Sequence, residues 1–110
     1  MLHNGPVPLF RWDEIALEKV TEMISRKVVQ GDRETLAQVY LKRGALVPLH
    51  AHPEEQMTYV LQGALQSLVG SDHIRVEEGE VLLVPANVPH QVVALDDTFV
   101  LSIFSVTANA

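Results

Sequence analysis

The sequence predicts an all-β domain, an antiparallel sandwich or small barrel with a jelly-roll course. Three observations predict it. From residue 24 onward, short runs rich in valine, leucine and isoleucine alternate with turn signals, no segment has the periodicity of a long helix, and aromatic residues make up only 5% of the chain. Short strands joined by hairpins, with few side chains large enough to fill a wide interior, favour a small β-barrel.

Glycine and paired polar residues separate the predicted strands. The strands are placed at Ile24–Gln30, Thr35–Leu41, Gln56–Leu61, Ala64–Val69, Ile74–Glu77, Val81–Val84, His90–Ala94 and Phe99–Val106. Residues 1–23 are predicted to form an N-terminal arm, because proline and glycine punctuate its start. Within the arm, residues 11–16 are predicted to form one helical turn, with acidic side chains near its positive end.

Length and composition limit the kinds of function. A chain of 110 residues fits one domain, so we expect a single domain over residues 1–110 with its barrel at 24–106. The net charge of −6 argues against a nucleic-acid partner, since phosphates need a basic face. The absence of cysteine excludes disulfides and thiolate metal ligands. The first residues include prolines and an acid pair and have no long apolar run, so we expect no membrane partner and a cytoplasmic location.

Two segments carry polar residues at spacings typical of a metal site. Residues 44–63 read GALVPLHAHPEEQMTYVLQG, and residues 79–94 read GEVLLVPANVPHQVVA. Because side chains alternate across a strand, His50 and His52 point to one face, and a hairpin can bring His90 opposite Gln56. Three imidazoles and one amide oxygen suit one divalent ion such as zinc, nickel, iron or manganese. His3 and His73 lack such spacing and are assigned structural roles.

These two segments resemble the two motifs of the cupin family, which implies a double-stranded β-helix, or jelly-roll barrel. HAHPEEQMTYVLQG, VPANVPH and FSV, with the upstream ISRKVVQGD, further resemble the small RmlC-like cupins that ketonise unsaturated uronates in pectin and alginate breakdown. That resemblance implies a metal on His50, His52, Gln56 and His90. The final strand of that family carries an Asp for proton transfer, a Phe that packs on the sugar and an Arg that recognises a carboxylate. Here these positions are Ser102, Phe104 and Ala108.

Several side chains are candidates for contact with a substrate. Ser102 and Phe104 lie on the same face of the last predicted strand, because side chains two positions apart in a strand point the same way. Arg26 and Lys27 are adjacent on an early strand, and two arrangements are open. One of them points inward and attracts a carboxylate, or both are solvated basic side chains at a sheet edge. Tyr40 is a candidate for proton transfer. The full candidate set is Arg26, Lys27, Tyr40, Thr58, Ser102 and Phe104.

Three functions are compatible with these patterns. The first is a metal-dependent isomerase or lyase acting on a small oxygenated metabolite such as an unsaturated uronate or keto sugar. The second is an iron or nickel dioxygenase, and the third is a non-catalytic module that binds or senses a small molecule. The resemblance to small cupins also implies a homodimer. Met57, Tyr59 and Leu61 lie on the strand face opposite Gln56 and could supply its symmetric apolar contact.

Overall fold

The computed structural model describes residues 5–106, and these residues form two antiparallel sheets. The all-β prediction is confirmed. The strands are β1 (Glu18–Thr21), β2 (Ile24–Gln30), β3 (Glu34–Leu41), β4 (Leu46–His50), β5 (Glu55–Gln62), β6 (Ala64–Val69), β7 (Asp72–Glu77), β8 (Val81–Val84), β9 (His90–Ala94) and β10 (Thr98–Ser105). A single 3-10 turn, Trp12–Glu14, falls inside the predicted helical turn. Within residues 5–106 no helix is long and apolar enough to cross a bilayer.

The two sheets face each other across the core. The larger has the strand order β1-β2-β3-β10-β5-β8, and the smaller has the order β4-β9-β6-β7. Connections that cross between the sheets, such as β3 to β4 and β9 to β10, give the jelly-roll course. The side chains that fill the interior are mostly valine and leucine from both sheets, with Val60 and Leu65 among the most completely buried.

Two strands were missing from the prediction. The segment predicted to be an N-terminal arm contains β1, which pairs antiparallel with β2. Part of this segment is therefore a strand of the larger sheet, which was not predicted. Every residue of β1 is exposed, and its sequence, Glu-Lys-Val-Thr, therefore lacks the alternation of apolar and polar residues that marks a half-buried strand. Strand β4 is interrupted by Pro48, which has no N–H to donate, and a proline is tolerated here because β4 lies at the edge of its sheet.

The register of the larger sheet fixes which side chains face the interior. Thr98, Val100 and Ser102 of β10 are buried, and the intervening residues are more exposed. Ser102 lies opposite Ala37 on β3 and Thr58 on β5. One residue pair further along, Phe104 lies opposite Thr35 and Gln56. The even-numbered residues of β10 therefore point between the two sheets, toward the histidine-bearing strands.

Candidate metal centre

Three histidines meet at one end of the space between the sheets. His50 ends β4 and pairs with His90, the first residue of β9, while His52 lies just beyond β4 in the connection to β5. The ring centroids are 4.3 Å apart for His50 and His90, 5.4 Å for His50 and His52, and 4.9 Å for His52 and His90. One ring nitrogen from each of the three lies within 4.8 Å of the other two. Such a cluster is the arrangement that a divalent ion requires.

Each ring is oriented by a backbone carbonyl two residues away. The Nδ1 of His50 donates to the carbonyl of Pro48 at 2.9 Å, that of His90 to Val88 at 2.9 Å, and that of His52 to Glu54 at 3.0 Å. Because a carbonyl oxygen only accepts, Nδ1 carries the proton in all three rings. In the neutral ring Nε2 is then left as a lone pair, the form in which imidazole binds a metal.

Gln56 adds a fourth donor atom. Its Nε2 donates to Oγ1 of Thr58 at 2.9 Å, which turns Oε1 toward His52, where it lies 3.1 Å from Nε2. In this orientation two acceptor atoms face each other with no proton between them. Two ligand atoms that bind one metal ion at about 2.1 Å each, with a right angle between the two bonds, lie about 3 Å apart. The observed separation therefore fits two ligands of the same ion.

His90 provides a direct test of whether a metal fits. The residue is only 2% exposed, and its Nε2 is buried without a hydrogen-bond partner among the described residues. Burial lowers the pKa of His90, and the neighbouring imidazoles of His50 and His52 lower it further against the opposing effect of the Val88 carbonyl. A buried lone pair without a donor is destabilising unless a cation occupies the space in front of it. The donor set thus fits a divalent ion.

An asparagine connects the two segments that carry the histidines. The backbone N–H of Asn87 donates to the carbonyl of His52 at 2.8 Å. Asn87 has a φ of 65°, the one positive value outside glycine among the described residues. Asparagine tolerates this left-handed conformation better than most residues. Asparagine therefore suits the turn that links the end of β8 to His90.

A cavity of about 400 Å³ opens in front of the histidines. Arg26, Thr58, Ser102 and Phe104 line it, as do Gln56 and the three histidines. The hydroxyls of Thr58 and Ser102 share a hydrogen bond of 3.3 Å, and both side chains are buried. The ring of Phe104 meets His52 edge to face, with centroids 5.7 Å apart.

Two of the predicted substrate contacts lie elsewhere. Lys27 alternates with Arg26 and points away from the cavity, where its Nζ donates to the carbonyl of Trp12 at 2.7 Å. Tyr40 lies on the outer face of the larger sheet, stacked on Phe99 with centroids 4.6 Å apart. It lines a separate groove of about 300 Å³ there. Neither residue is placed to contact a molecule bound at the histidines.

Other residues that line the cavity were not anticipated. Val20 and Thr21 of β1 and Leu46 and Val47 of β4 contribute to its walls. They were missed because neither strand was predicted. The two β-branched residues that end β1, Val20 and Thr21, were the available signal, and this run was too short to distinguish from a polar arm.

These observations define a class of protein, a small jelly-roll barrel with a three-histidine centre inside one end. The sequence model of the cupin domain family matches residues 37–107, so the chain belongs to the cupin family.

Known proteins similar to this chain support the same fold. KdgF from Halomonas sp. superimposes with a TM-score of 0.84 and 28% identity, over 94% of this chain and 97% of that one. An RmlC-like cupin from Shewanella frigidimarina gives a TM-score of 0.84 at 19% identity, over 94% and 95% of the two chains. Uncharacterized protein MJ1618 of Methanocaldococcus jannaschii is 23% identical over 74 residues, which span 66% of this chain and 59% of that protein. The predicted membership of the cupin family is confirmed.

Proposed function

We propose that this cupin is a metal-dependent enzyme of the isomerase or lyase type, with one divalent ion bound by His50, His52, Gln56 and His90. The observation that carries the proposal is the convergence of lone pairs without donors. Nε2 of His90 is buried and unpaired, and Nε2 of His52 faces Oε1 of Gln56 at 3.1 Å. Zinc, nickel, iron and manganese all accept such a set of nitrogen and oxygen ligands.

The chemistry follows from the charge of the ligand set. A bound divalent ion supplies a Lewis acid that polarises a carbonyl or enol oxygen of a small metabolite. Because His50, His52, His90 and Gln56 are all neutral ligands, none of them reduces the charge of the ion. In the cavity beside the proposed ion, Phe104 forms an apolar wall and Thr58 and Ser102 present hydroxyls. Unsaturated uronates and keto sugars are the substrates that the sequence resemblance suggests.

Elemental analysis of the purified protein tests the centre directly. We expect about one metal ion per chain in the wild type and its loss in His50→Ala and His90→Ala. His73→Ala is the matched control, since His73 is exposed on β7 away from the cluster. Wild-type protein that takes up no zinc, nickel, iron or manganese after reconstitution would contradict the proposal.

A substrate panel tests the reaction. Metal-loaded protein is incubated with unsaturated uronates, keto sugars and β-diketones, and both product formation and oxygen consumption are followed. Isomerisation or cleavage without oxygen uptake supports the proposal. Oxygen uptake that depends on iron or nickel supports the dioxygenase instead, and contradicts isomerase or lyase chemistry.

A non-catalytic binding or sensing role is the second candidate, and one observation favours it. No Asp or Glu among residues 5–106 lines the cavity, and Ser102 stands where uronate-ketonising cupins carry the Asp that transfers protons. This role predicts that a small molecule raises the melting temperature without being converted, including after the metal is chelated. Turnover of any panel compound would rule it out.

The proposal includes a homodimer in the cytoplasm. On the outer face of the larger sheet, Ile103, Met57 and Leu83 form one cross-strand row, and Tyr59 and Val81 belong to the next. These five side chains are 37% to 57% exposed. A second copy of the same face would cover them by a two-fold contact. Light scattering at micromolar concentration should give twice the chain mass, and Met57→Lys should reduce it; a monomeric wild type would contradict the dimer.

A further inference from the structure

The walls of the cavity divide into two chemically different parts. The histidines, Gln56, Thr58 and Ser102 gather at one end. Beyond them the larger sheet contributes Val39, Leu41 and Val100, and the smaller sheet contributes a similar set of valine and leucine side chains. The register explains this division, since Val39 and Val100 are opposite each other one row along from Ala37 and Ser102. A bound molecule would thus contact polar groups at one end and hydrocarbon along its body.

Such walls discriminate against a polyol. A hydroxyl removed from water without a hydrogen-bond partner costs about 1–3 kcal/mol on the scale of protein mutations. Backbone groups of the surrounding strands are already paired in the sheet ladders. A sugar lying along Val39, Leu41 and Val100 would leave several hydroxyls unpaired, whereas methylene groups would gain from burial there.

Arg26 is placed at the far side of this apolar region. It is the one permanently charged side chain that lines the cavity among the described residues. Arg26 lies opposite Val39 on the neighbouring strand. Two strand spacings and two residues separate its Cα from that of Ser102, a distance of about 12 Å. The guanidinium and the histidine end are therefore separated by the aliphatic walls.

The guanidinium is oriented and keeps free donors. Nε and Nη2 of Arg26 donate to the two carboxylate oxygens of Glu18 at 3.2 Å each, across the β1–β2 pair. A guanidinium has five N–H groups, so three are left for another acceptor. The side chain is 44% exposed, which places it at the mouth of the cavity, in reach of a ligand and of water.

We propose that this cavity takes a carboxylate with an aliphatic body, whose carboxylate pairs with Arg26 and whose second oxygen function lies at the histidine end. The inference rests on the proposed function, because it assigns a ligand class to the same cavity. It replaces the sugar ring that the family resemblance implies with a hydrocarbon chain, and it gives Arg26 the carboxylate recognition for which the resemblance offers only Ala108.

Adipate and galactarate form a matched pair of probes. Both are six-carbon dicarboxylates, and galactarate carries a hydroxyl on each of the four inner carbons. Calorimetric titration of metal-free and zinc-loaded protein should show adipate binding at least tenfold more tightly than galactarate, the ratio expected from even one or two unpaired hydroxyls. Equal binding, tighter galactarate, or no binding of either probe at millimolar concentration would overturn the proposal.

Substitution at the two arginines separates recognition from general charge. Arg26→Gln should weaken adipate binding about tenfold, in line with the loss of a hydrogen bond between charged groups. Arg75→Gln is the control, because Arg75 also pairs with a glutamate on a strand, at 2.9 Å from Glu77, away from the cavity. Identical affinities in the two variants would refute the role of Arg26. Elemental analysis reports the metal centre independently. Protein that holds zinc but binds no adipate therefore overturns the ligand class while the metal centre of the proposed function stands.

Discussion

Gly63 offers a sharp test of how this fold is packed, because it stands where the chain crosses from β5 in one sheet to β6 in the other. Its φ is 92°, a conformation that side chains rarely adopt. A Cβ at this position would lie 2.5 Å from Oγ1 of Thr98, 2.6 Å from the carbonyl of Asp97 and 2.8 Å from Cα of Thr98. Two of these three atoms belong to backbone and cannot rotate away.

The expected cost of Gly63→Ala has three parts. The left-handed backbone costs about 1–2 kcal/mol for a residue with a Cβ, and forcing a methyl group into packed space costs about 1–3 kcal/mol. Reduced freedom of the unfolded chain returns about 0.4–1 kcal/mol. We therefore expect the free energy of unfolding to fall by about 3 kcal/mol, within a range of about 1–5 kcal/mol. Thr98 would be displaced as well, and its hydroxyl now donates to the carbonyls of Ala64 and Asp96.

Gly79→Ala is the matched control. Gly79 has a φ of 86°, and a Cβ built there meets nothing within 4 Å. It should therefore show the backbone term alone, about 1 kcal/mol after the effect on the unfolded chain. Urea denaturation followed by circular dichroism gives both values from the shift of the midpoint at constant slope. If the two variants are destabilised equally, the close approach of Thr98 does not limit this turn and the reasoning is refuted.

Three further outcomes follow from the centre. Gln56→Glu should bind zinc about tenfold more tightly by competition with a chelator, because a carboxylate adds an attractive charge beside the ion; unchanged affinity would mean that residue 56 is no ligand. The metal-free protein should lose stability as the pH falls below the ordinary histidine value of 6.5, because the unfolded chain takes up a proton that buried His90 resists; a urea midpoint that is flat from pH 7 to pH 5 contradicts this. Ser102→Ala should cost about 1 kcal/mol or less, since it removes one neutral hydrogen bond, and should leave the metal content unchanged; loss of metal would place Ser102 in the centre.

Most of the barrel could be predicted from the sequence, because its strands are bracketed by turns. All eight predicted strands have a counterpart whose ends agree within two residues. The histidines and Gln56 were identifiable because their spacing within the two motifs is specific. Sequence reasoning failed where burial pattern gives no signal, as in the exposed β1, or where a proline interrupts an edge strand, as in β4.

The facing of the substrate candidates was harder to predict. Each face of β2 mixes polar and apolar residues, with Arg26 between Ile24 and Val28 on one face and Lys27 between Ser25 and Val29 on the other. Alternation alone therefore does not say which of the two basic residues faces the interior. The choice is made by pairing with β3, where Arg26 lies opposite Val39 and Lys27 opposite Gln38. Tyr40 was assigned a chemical role by its residue type. Its stacking on Phe99, 59 positions away in sequence, could not be anticipated from local pattern.

The three carbonyl contacts that orient the imidazoles have a consequence for how such a protein can diverge. Each comes from the backbone within two residues of the histidine it orients, at Pro48, Glu54 and Val88. A backbone carbonyl is present whatever side chain the position carries. The geometry of the rings is therefore insulated from substitutions on the opposite sheet. Substitutions at Ser102 or along the apolar walls can therefore change the chemistry of the cavity while the arrangement of the three imidazole rings is retained.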